Sequence, residues 1–574
     1  MIDAKAYFNG DDCFLAWSMP FIKDCWGFAI YRNLKKANGK EYKDFIPNRT
    51  GFENDDNKPH DIKSSEEWPF QRYTWTDHGV DAGDIVSYSI SPVIKTNNGL
   101  EIDHQATFNI APMTITEKGD GNAFAYFNRG IILSQFMAKK LGDNWEKKDL
   151  LKLKKQLGNE DNELRVFLEG QLGSKLMALL KQAEEKKWHI FASLYELDDE
   201  EIIDNIKELG KNAHIVLSNG SKKKKGEDGN AKAVKAIKGK IDLCRRMLWS
   251  EGLGHNKFVV FAKTPSQPFM VWTGSTNWAT TGLCTQLNNG ILIQDSAVAD
   301  VYLKQWKLLK NDQRTGRGGA KMHFGEALMD SNDESKNGSA GKTGKWTVWF
   351  SRTSEGQEMK EITELINGAN DAILFLMFEP GANGLLQIIQ SRLSSAAATA
   401  NDKLYIHGVV NTLKPSKTGQ DVSVELIGRG QHKGFDLRVI QPEGVAGGLA
   451  EWATEVTRRD FLMGQGGVIG HAIIHSKIIV IDPRTRPIVI TGSHNFSQSA
   501  SSKNDENLII IKGNSGLAER YAVNIMSVYQ HYRWRAYLQD CNAKGISPWH
   551  GLKKTDQWQK QDAPTDPELG FWLK

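Results

Sequence analysis

The feature that most constrains this chain is a short stretch that occurs twice. Its second copy runs from His475 to Asn507 and contains a His-Ser-Lys triplet, two apolar strands separated by a turn at Pro483, and then the sequences GSHN and NDEN. Side chains repeat every two residues along a strand, so the histidine and the lysine of the triplet face the same way. The stretch therefore predicts an anion site at the start of a buried hairpin.

The first copy has the same parts in the same order. His255-Asn256-Lys257 precedes a strand, Gly274-Ser275-Thr276-Asn277 follows it, and Asn288 stands where the second copy has Glu506. The two histidines are 220 positions apart, whereas the Gly-Ser pairs, the asparagines that follow them and the Asn288 and Glu506 positions are 218 apart. One His-x-Lys triplet alone indicates little, but two copies in register indicate a duplicated unit.

Both copies resemble the HxKxxxxD, GSxN and NxEN motifs of the phospholipase D superfamily, which needs two copies for one active site. The resemblance covers residues 185 to 540. It implies two tandem α/β halves that form a pseudo-dimer, and cleavage of a phosphodiester without a metal or cofactor. The first copy departs from the motif because Ala262 stands where the second copy has Asp482.

The periodicity of the rest of the chain agrees with two α/β halves behind a β-rich start. Short strands separated by turn residues predict an all-β sandwich over 1–115, where Trp17, Trp75 and Tyr88 resemble the pattern of a fibronectin type III domain. Strands that alternate with helices predict mixed sheets flanked by helices. The predicted segments are a helical lead-in at 116–187, a first half at 188–312, a flexible linker at 313–345 and a second half at 346–574.

The resemblance also assigns roles to individual residues. One histidine attacks phosphorus, the other protonates the leaving oxygen, and the lysines and asparagines hold the non-bridging oxygens. Asp482 lies beyond its strand and is interpreted as structural. The predicted catalytic residues are His255, Lys257, Asn277, His475, Lys477, Asn495 and Glu506, with Asn288, Asp482, Ser275 and Ser493 in support.

The difference between Asn288 and Glu506 predicts different roles for the two histidines. By the resemblance, Glu506 bonds the histidine of its own half, where its charge would raise the pKa of His475 and keep it protonated as the general acid. Asn288 supplies no charge, so His255 would stay neutral and keep a lone pair for attack. An amide on one side and a glutamate on the other resembles the tyrosyl-DNA phosphodiesterases, and it favours His255 as the nucleophile.

Composition limits the partners and the compartment. The 73 basic and 69 acidic residues give a net charge of +4, so a basic groove has to be local, with Lys222–Lys225, Lys232–Lys240 and Arg245-Arg246 as candidates. We expect no transmembrane segment and no signal peptide. The five scattered cysteines predict free thiols in a cytoplasmic protein, although export without a signal peptide would leave the same sequence.

The substrate class is the least constrained property. GSHNFS and NDEN look most like the nuclease and cardiolipin-synthase-like branches of the superfamily, which favours a metal-independent nuclease. A lipid-hydrolysing phospholipase D and a catalytically inactive nucleic-acid-binding module are the alternatives. The sandwich is expected to act as a spacer or to dock a protein partner, and catalysis requires no oligomer because one chain carries both copies.

Overall fold

Contacts between residues divide the chain into two compact units. One unit combines the N-terminal region, up to residue 116, with the chain from Ala522 onward, and the other unit extends from residue 121 to Tyr521. The structure is a computed structural model, and it describes residues 3–56, 61–116, 121–130, 155–222, 225–339, 344–378, 380, 384–398, 404–410, 439–440, 474–545, 551–560 and 567–574.

The N-terminal region is a sandwich of two antiparallel sheets, as predicted. The smaller sheet has the order β1-β2-β7, and the larger has the order β10-β8-β3-β4 with β9 paired to β8. Trp17 packs edge-on against Phe28 in the shared core, and the Tyr88 hydroxyl donates to Asp77 at 2.9 Å. The likeness to a fibronectin type III domain stays a prediction. The strands are β1 (Asp3–Phe8), β2 (Cys13–Ser18), β3 (Cys25–Lys35), β4 (Glu41–Phe45), β5 (Pro47–Asn48), β6 (Lys63–Ser64), β7 (Thr74–Asp77), β8 (Ile85–Thr96), β9 (Gly99–Ile102) and β10 (Phe108–Thr114).

The second unit contains two sheets, and the first of them has the order β11-β17-β16-β15-β12-β13-β14. Its neighbours β12, β13 and β14 run parallel, and the remaining pairs are antiparallel. The strands are β11 (Ala123–Phe127), β12 (His189–Leu194), β13 (Ala213–Ser218), β14 (Asp242–Arg246), β15 (Lys257–Ala262), β16 (Pro268–Gly274) and β17 (Asn289–Ile293).

The other sheet of this unit repeats that order strand for strand, as β21-β27-β26-β25-β22-β23-β24, with β20 added at the edge. The repeat confirms the predicted pair of tandem α/β halves. A short hairpin of β18 and β19 precedes it in the chain. The strands are β18 (Arg314–Thr315), β19 (Lys321–Met322), β20 (Lys336–Ser339), β21 (Lys345–Ser351), β22 (Ala372–Met377), β23 (Tyr405–Val410), β24 (Val439–Ile440), β25 (Lys477–Ile481), β26 (Ile488–Gly492) and β27 (Glu506–Lys512).

Helices cover the sheets and bury one apolar face each. In Glu200–Leu209, for example, Asp199 caps the first turn, and isoleucines and a leucine at helical spacing are buried. None of the helices in the described ranges is long and apolar enough to cross a membrane. The remaining helices of the second unit are Glu163–Glu185 with a break at Gly170, Ala231–Ile237, Thr280–Cys284, Ser296–Asn311, Glu326–Asn332, Gln357–Asn367, Leu385–Ala398 and Gln498–Lys503. The helix Ser515–Lys544 follows them in the chain.

Three parts of the chain differ from the predicted organisation. Strand β11 lies in the region predicted as a helical lead-in, yet it pairs with β17 from Ala123↔Ile293 to Phe127↔Asn289, so the first sheet begins before residue 188. The predicted flexible linker contains β20 and a helix that buries Leu328. Strand β11 is short, and its position is specified by backbone bonds to β17, which is far away in sequence, whereas the polar β20 pairs with its neighbour β21.

The third difference is that the C-terminal segment completes the core of the sandwich rather than the second half. The buried Trp558 donates its Nε1–H to the carbonyl of Cys25 at 2.9 Å and packs against Phe28 and Tyr73. Trp572, in the helix Pro567–Trp572, packs against the core in the same unit. Apolar periodicity marks such residues as buried without saying which core they enter.

Replacing Trp558 by Ala tests this packing. The change removes a buried indole and its hydrogen bond, so we expect the free energy of unfolding of this unit to fall by about 3–5 kcal/mol. Urea unfolding of the whole chain, followed by circular dichroism, measures the loss. Phe21 is 50% exposed, and Phe21→Ala should change the same transition by less than about 0.5 kcal/mol. Equal, small effects of both changes would contradict the packing.

Candidate active site

The ends of several strands bring the duplicated motifs to one edge of each sheet. In the first sheet, Leu194 at the end of β12 lies opposite Lys257 at the start of β15, and β16 ends where β17 begins. In the second sheet, Met377 lies opposite Lys477 in the same way. Because β12 and β13 are parallel, the loop after β13 leaves from this edge too.

Each His-x-Lys triplet is held by the backbone of the other half. The amide of His255 donates to the carbonyl of Asp505 at 2.9 Å, and the amide of His475 donates to the carbonyl of Leu287 at 2.9 Å. These bonds are equivalent under the twofold repeat of the sequence. The structure therefore places both triplets along one seam between the halves.

The imidazole side chains are also bound across the seam. Nδ1 of His255 lies 2.8 and 3.0 Å from the two carboxylate oxygens of Glu506, and Nδ1 of His475 lies 2.9 Å from Oδ1 of Asn288. All four residues are at most 5% exposed. The site thus pairs one histidine with a carboxylate and the other with an amide.

This arrangement corrects the predicted contact between Glu506 and the histidine of its own half. Glu506 opens β27, and the residue before it, Asp505, is bonded to the backbone of His255, so the carboxylate reaches the histidine of the other half. A repeat in the sequence identifies equivalent positions. It does not tell whether two equivalent halves exchange their contacts.

Burial lowers the pKa of both histidines. For His255 the burial outweighs the opposing charge of Glu506, and the pKa falls to about 4. For His475 burial acts together with the positive charges of Lys477 and Lys257, and the pKa falls well below its ordinary value. The carboxylate on which the prediction of a protonated His475 relied binds the other ring instead.

The acceptors at Nδ1 determine the tautomer of each neutral ring. A carboxylate accepts the Nδ1–H of His255, which leaves the lone pair on its Nε2. The Asn288 amide is oriented by two further bonds, since Ser275 donates to its Oδ1 at 2.7 Å and its Nδ2 donates to the carbonyl of Gly282 at 2.8 Å. His475 therefore also donates from Nδ1 and keeps its Nε2 lone pair.

The two lysines are equivalent in their surroundings. Lys257 donates from Nζ to the carbonyl of the histidine two residues before it at 2.7 Å and lies 4.9 Å above the ring of Tyr195. Lys477 makes the corresponding bond at 2.6 Å and lies 4.8 Å above the ring of Phe378. Each ring also packs against the imidazole of its half. The two aromatic residues were missed in the sequence, where Tyr195 follows β12, Phe378 follows β22 and each precedes a glutamate.

The Gly-Ser pairs bring β16 and β26 against the residues that follow Asn288 and Glu506. Gly274 and Gly492 have φ of +142° and +153°, and a Cβ at either position would lie 2.3 or 2.2 Å from the carbonyl of Asn289 or Asn507. Only glycine fits such a position. The serine amide after each glycine donates to that carbonyl at 3.0 Å, and Ser493 donates its hydroxyl to Glu506 at 2.7 Å.

The asparagines two residues beyond each Gly-Ser pair complete the site edge. Asn277 is 4% exposed and donates from Nδ2 to the carboxylate of Glu196 at 2.8 Å. Asn495 occupies the equivalent position in the second half and is half-buried. Glu196 was not predicted as part of the site, although the glutamate after the aromatic residue is repeated in the sequence as Phe378-Glu379. Glu379 lies outside the described residues.

Asp482 is buried at the far end of β25, away from the site edge. Its carboxylate accepts from the backbone amides of Asn370, Asp371 and Ala372 at 3.0, 2.7 and 3.0 Å. This position agrees with the structural role proposed from the sequence. Ala262 lies at the end of β15 in the first half, where the strand pairs without that carboxylate.

The basic pair Arg245-Arg246 does not line a groove, which corrects another prediction. Arg246 is 2% exposed and forms ion pairs with Asp505, at 3.0 Å, and with Asp312, at 2.9 Å. Arg245 pairs with Asp228 at 2.8 Å. The positive charge of these two arginines does not indicate, from the sequence alone, that their guanidinium groups bind carboxylates inside the unit. Through Asp505, Arg246 instead supports the backbone that holds His255.

Two further properties concern ligands and thiols. In the part of the chain that the structure describes, no three His, Cys, Asp or Glu side chains form a group that could hold a metal ion. Cys13, Cys25, Cys244 and Cys284 are free, and the side chain of Cys541 is outside the description.

Comparison with known protein families gives a match to two segments of the chain. A family model described as the phospholipase D-like domain of cardiolipin synthase matches residues 176–309 and 400–528. The chain carries a phospholipase D-like domain. Each matched segment of this domain contains one His-x-Lys triplet and the Gly-Ser pair that follows it. The two copies of the motif therefore lie in the two segments that the family model matches.

Several solved structures are similar to the chain at low sequence identity. Polyphosphate kinase from Porphyromonas gingivalis is 11% identical, with a TM-score of 0.36 over 62% of this chain and 45% of that protein. Phosphatidylserine synthase from Haemophilus influenzae Rd KW20 is 11% identical, with a TM-score of 0.35 over 62% and 84%. A mutant of yeast tyrosyl-DNA phosphodiesterase is 10% identical, with a TM-score of 0.30 over 58% and 84%. No protein among curated sequences matches the chain.

Replacing Asn288 by Asp tests the exchange of contacts across the seam. The new carboxylate lies at Nδ1 of His475, where it stabilises the imidazolium, so the pKa of His475 should rise by at least about one pH unit. Nuclear magnetic resonance titration of ¹³C-labelled histidines between pH 4 and 8 measures this rise, with His475→Gln to assign the resonance. A rise in the pKa of His255 instead would contradict the exchange and indicate that residue 288 contacts the histidine of its own half.

Proposed function

We propose that the protein is a phosphodiesterase that cleaves its substrate through a covalent phosphohistidine. The observation that carries the proposal is the meeting of two His-x-Lys triplets at one seam, with each imidazole bound at Nδ1 by an acceptor from the other half. This arrangement leaves both Nε2 atoms for the reacting phosphate. Two imidazoles and two lysines around one anion supply a nucleophile, a proton donor and positive charge together.

His255 is the proposed nucleophile, for a reason different from the one the sequence suggested. Attack by Nε2 on phosphorus places a positive charge on the imidazole, and the Glu506 carboxylate at Nδ1 stabilises that charge. Asn288 offers His475 a dipole without a charge. The carboxylate therefore favours His255 as the ring that becomes a phosphoimidazolium, rather than keeping a general acid protonated.

His475 is the proposed general acid and, in the second step, the general base. Burial lowers the pKa of this ring in the free protein, and an anionic phosphate bound beside it favours the protonated form. As the Nε2–P bond of His255 forms, the P–O bond of the leaving group breaks, and that oxygen takes the proton from His475. Water then attacks phosphorus, its proton returns to His475, and the N–P bond breaks.

In this mechanism two lysines and two asparagines hold the non-bridging oxygens of the phosphate. They are Lys257, Lys477, Asn277 and Asn495. The two lysine side chains are at most 1% exposed, and a buried ammonium group interacts strongly with an anion because little water screens it. Their bonds to histidine carbonyls hold each Nζ beside the reacting rings. The charge that develops on the phosphate oxygens in the transition state is thereby stabilised.

A nucleic acid is the preferred substrate in this proposal. The loop after β13 starts at the site edge and contains the exposed Lys222 and Lys225. Asn230 fixes the end of this loop by donating to the carbonyls of Tyr195 and Ser218 at 2.9 and 2.8 Å. Exposed lysines beside a phosphodiester site suit a polyanionic backbone. A phospholipid is the second candidate, because its phosphodiester has the same reacting group.

Substitution of either histidine tests the chemistry. We expect His255→Ala and His475→Ala each to lower kcat by about 10³-fold, since a nucleophile and a general acid each contribute on that order. His214→Ala is the control, because His214 lies near the other end of β13. A panel of single- and double-stranded DNA, RNA and phosphatidylcholine in EDTA identifies the substrate. Hydrolysis of lipid alone would overturn the nucleic-acid preference, and binding of DNA or RNA without hydrolysis would indicate an inactive binding module.

Trapping of the intermediate tests which histidine attacks. His475→Ala lacks the base for the second step, so a phosphohistidine should accumulate on His255 and survive rapid quenching at alkaline pH. Peptide mass spectrometry after a single turnover on a substrate with a good leaving group locates the phosphate. Accumulation on His475 in the His255→Ala variant, and none in His475→Ala, would reverse the assignment.

A further inference from the structure

Glu196 lies at the site edge, two residues beyond the end of β12. The amide of Trp278 donates to its carbonyl at 3.1 Å, and the next residue, Leu197, pairs with Trp278. The backbone of Glu196 is thus fixed beside Asn277, which immediately precedes that tryptophan. The half-buried carboxylate accepts from Nδ2 of Asn277 at 2.8 Å.

This hydrogen bond determines how Asn277 presents its amide. Nδ2 carries two hydrogens, and donation of one to Glu196 leaves the other for a phosphate oxygen. An amide held only by its own side-chain torsions can turn either its oxygen or its nitrogen toward a ligand. The acceptor at Glu196 selects the nitrogen, because a carboxylate accepts hydrogen bonds and cannot donate one when ionised.

Glu196 also supplies negative charge to Lys257. Lys257 is 1% exposed, and burial lowers its pKa to about 7, against the opposing charges of Glu506 and Glu196. Glu506 is already hydrogen-bonded to His255, so Glu196 is the second carboxylate that favours the charged lysine. The other titratable groups that interact with these two residues include Tyr195, His255, His475 and Asp198.

The electrostatic interaction acts in both directions. Burial raises the pKa of Glu196, and the charge of Lys257 opposes that rise. No role for a carboxylate at this position follows from the His-x-Lys, Gly-Ser or Asn-x-Glu-Asn motifs. Its place in the sequence, Tyr195-Glu196, is nevertheless repeated as Phe378-Glu379 after the matching strand of the second half.

We propose that Glu196 is a positioning residue for phosphate binding, which orients the Asn277 amide and keeps Lys257 in its charged form. The proposal rests on the proposed function, because it deepens the role of the same site. In this proposal Glu196 contacts no atom that forms or breaks a bond. Its effect reaches the phosphate through an amide hydrogen and an ammonium group.

Two substitutions separate the two effects. Glu196→Gln keeps an oxygen that can accept from Asn277 but removes the charge, whereas Glu196→Ala removes both. The matched control is Glu361→Gln, since Glu361 is a half-buried carboxylate that accepts from Trp349 at 2.7 Å and from Lys512 at 3.0 Å on another surface of the same unit. Circular dichroism and thermal unfolding verify that each variant folds.

The pH profile of kcat/KM is the first readout. A neutral residue at 196 lowers the pKa of Lys257 further, so the ammonium loses its proton at a lower pH. We therefore expect the alkaline limb of the profile to move to lower pH in Glu196→Gln, with KM raised about tenfold at pH 8 and kcat at the optimum changed by less than about threefold. Glu196→Ala should show the same movement and, in addition, about a tenfold loss of kcat because Asn277 is no longer oriented.

Binding of inorganic phosphate, measured by calorimetry from pH 6 to 9, is a readout that needs no turnover. The affinity of Glu196→Gln should decline at a lower pH than that of the parent protein or of Glu361→Gln. Profiles of Glu196→Gln that coincide with those of the parent overturn the role of Glu196 while leaving the phosphodiesterase intact. A parent protein that binds phosphate with this pH dependence but hydrolyses no phosphodiester overturns the proposed function alone, and one that binds no phosphate overturns both.

Discussion

The exchange of backbone hydrogen bonds between the two halves is the interaction on which the candidate site depends. The amide of His255 is bonded to Asp505, and the amide of His475 is bonded to Leu287, so neither triplet is positioned by its own half alone. Arg246 adds a buried ion pair to Asp505 from the first half. Removal of one partner of such a pair leaves an uncompensated charge in the interior. The seam is therefore held together by the same residues that position the site.

A symmetric polar network surrounds this exchange. Thr273 donates to Asn507 at 2.5 Å, and Asn289 donates to Thr491 at 2.9 Å, so each half supplies a threonine and an asparagine to the other. Buried polar groups of this kind have to find partners, because an unsatisfied group costs about 1–3 kcal/mol. The network specifies one relative placement of the halves inside their shared unit. Asn288 and Glu506 stand at equivalent positions but differ in charge, and these two residues bind the two imidazole rings.

Much of this arrangement was predictable from the sequence. The parts that were not predictable share one cause, which is contact between residues far apart in the chain. The spacing between the two copies predicted equivalent halves, and the repeated strand order confirms them. The structural interpretation of Asp482 agrees with its three backbone hydrogen bonds. The role of β11, the place of Trp558 and the binding of Arg246 depend on contacts far apart in the chain. Periodicity describes which face of an element is buried, and it carries no information on what lies against that face.

By itself, the sequence determined that this chain contains a duplicated α/β unit behind a β-rich region, and which residue types stand at each equivalent position. Apolar strands and helical spacing are local properties, so they can be recognised from consecutive residues of the chain. Only the tertiary structure decided that Glu506 binds His255 rather than His475, and that Glu196 belongs with Asn277. Both contacts are made across distances in sequence that no local pattern encodes, and they are fixed by how backbone hydrogen bonds join one strand edge to another.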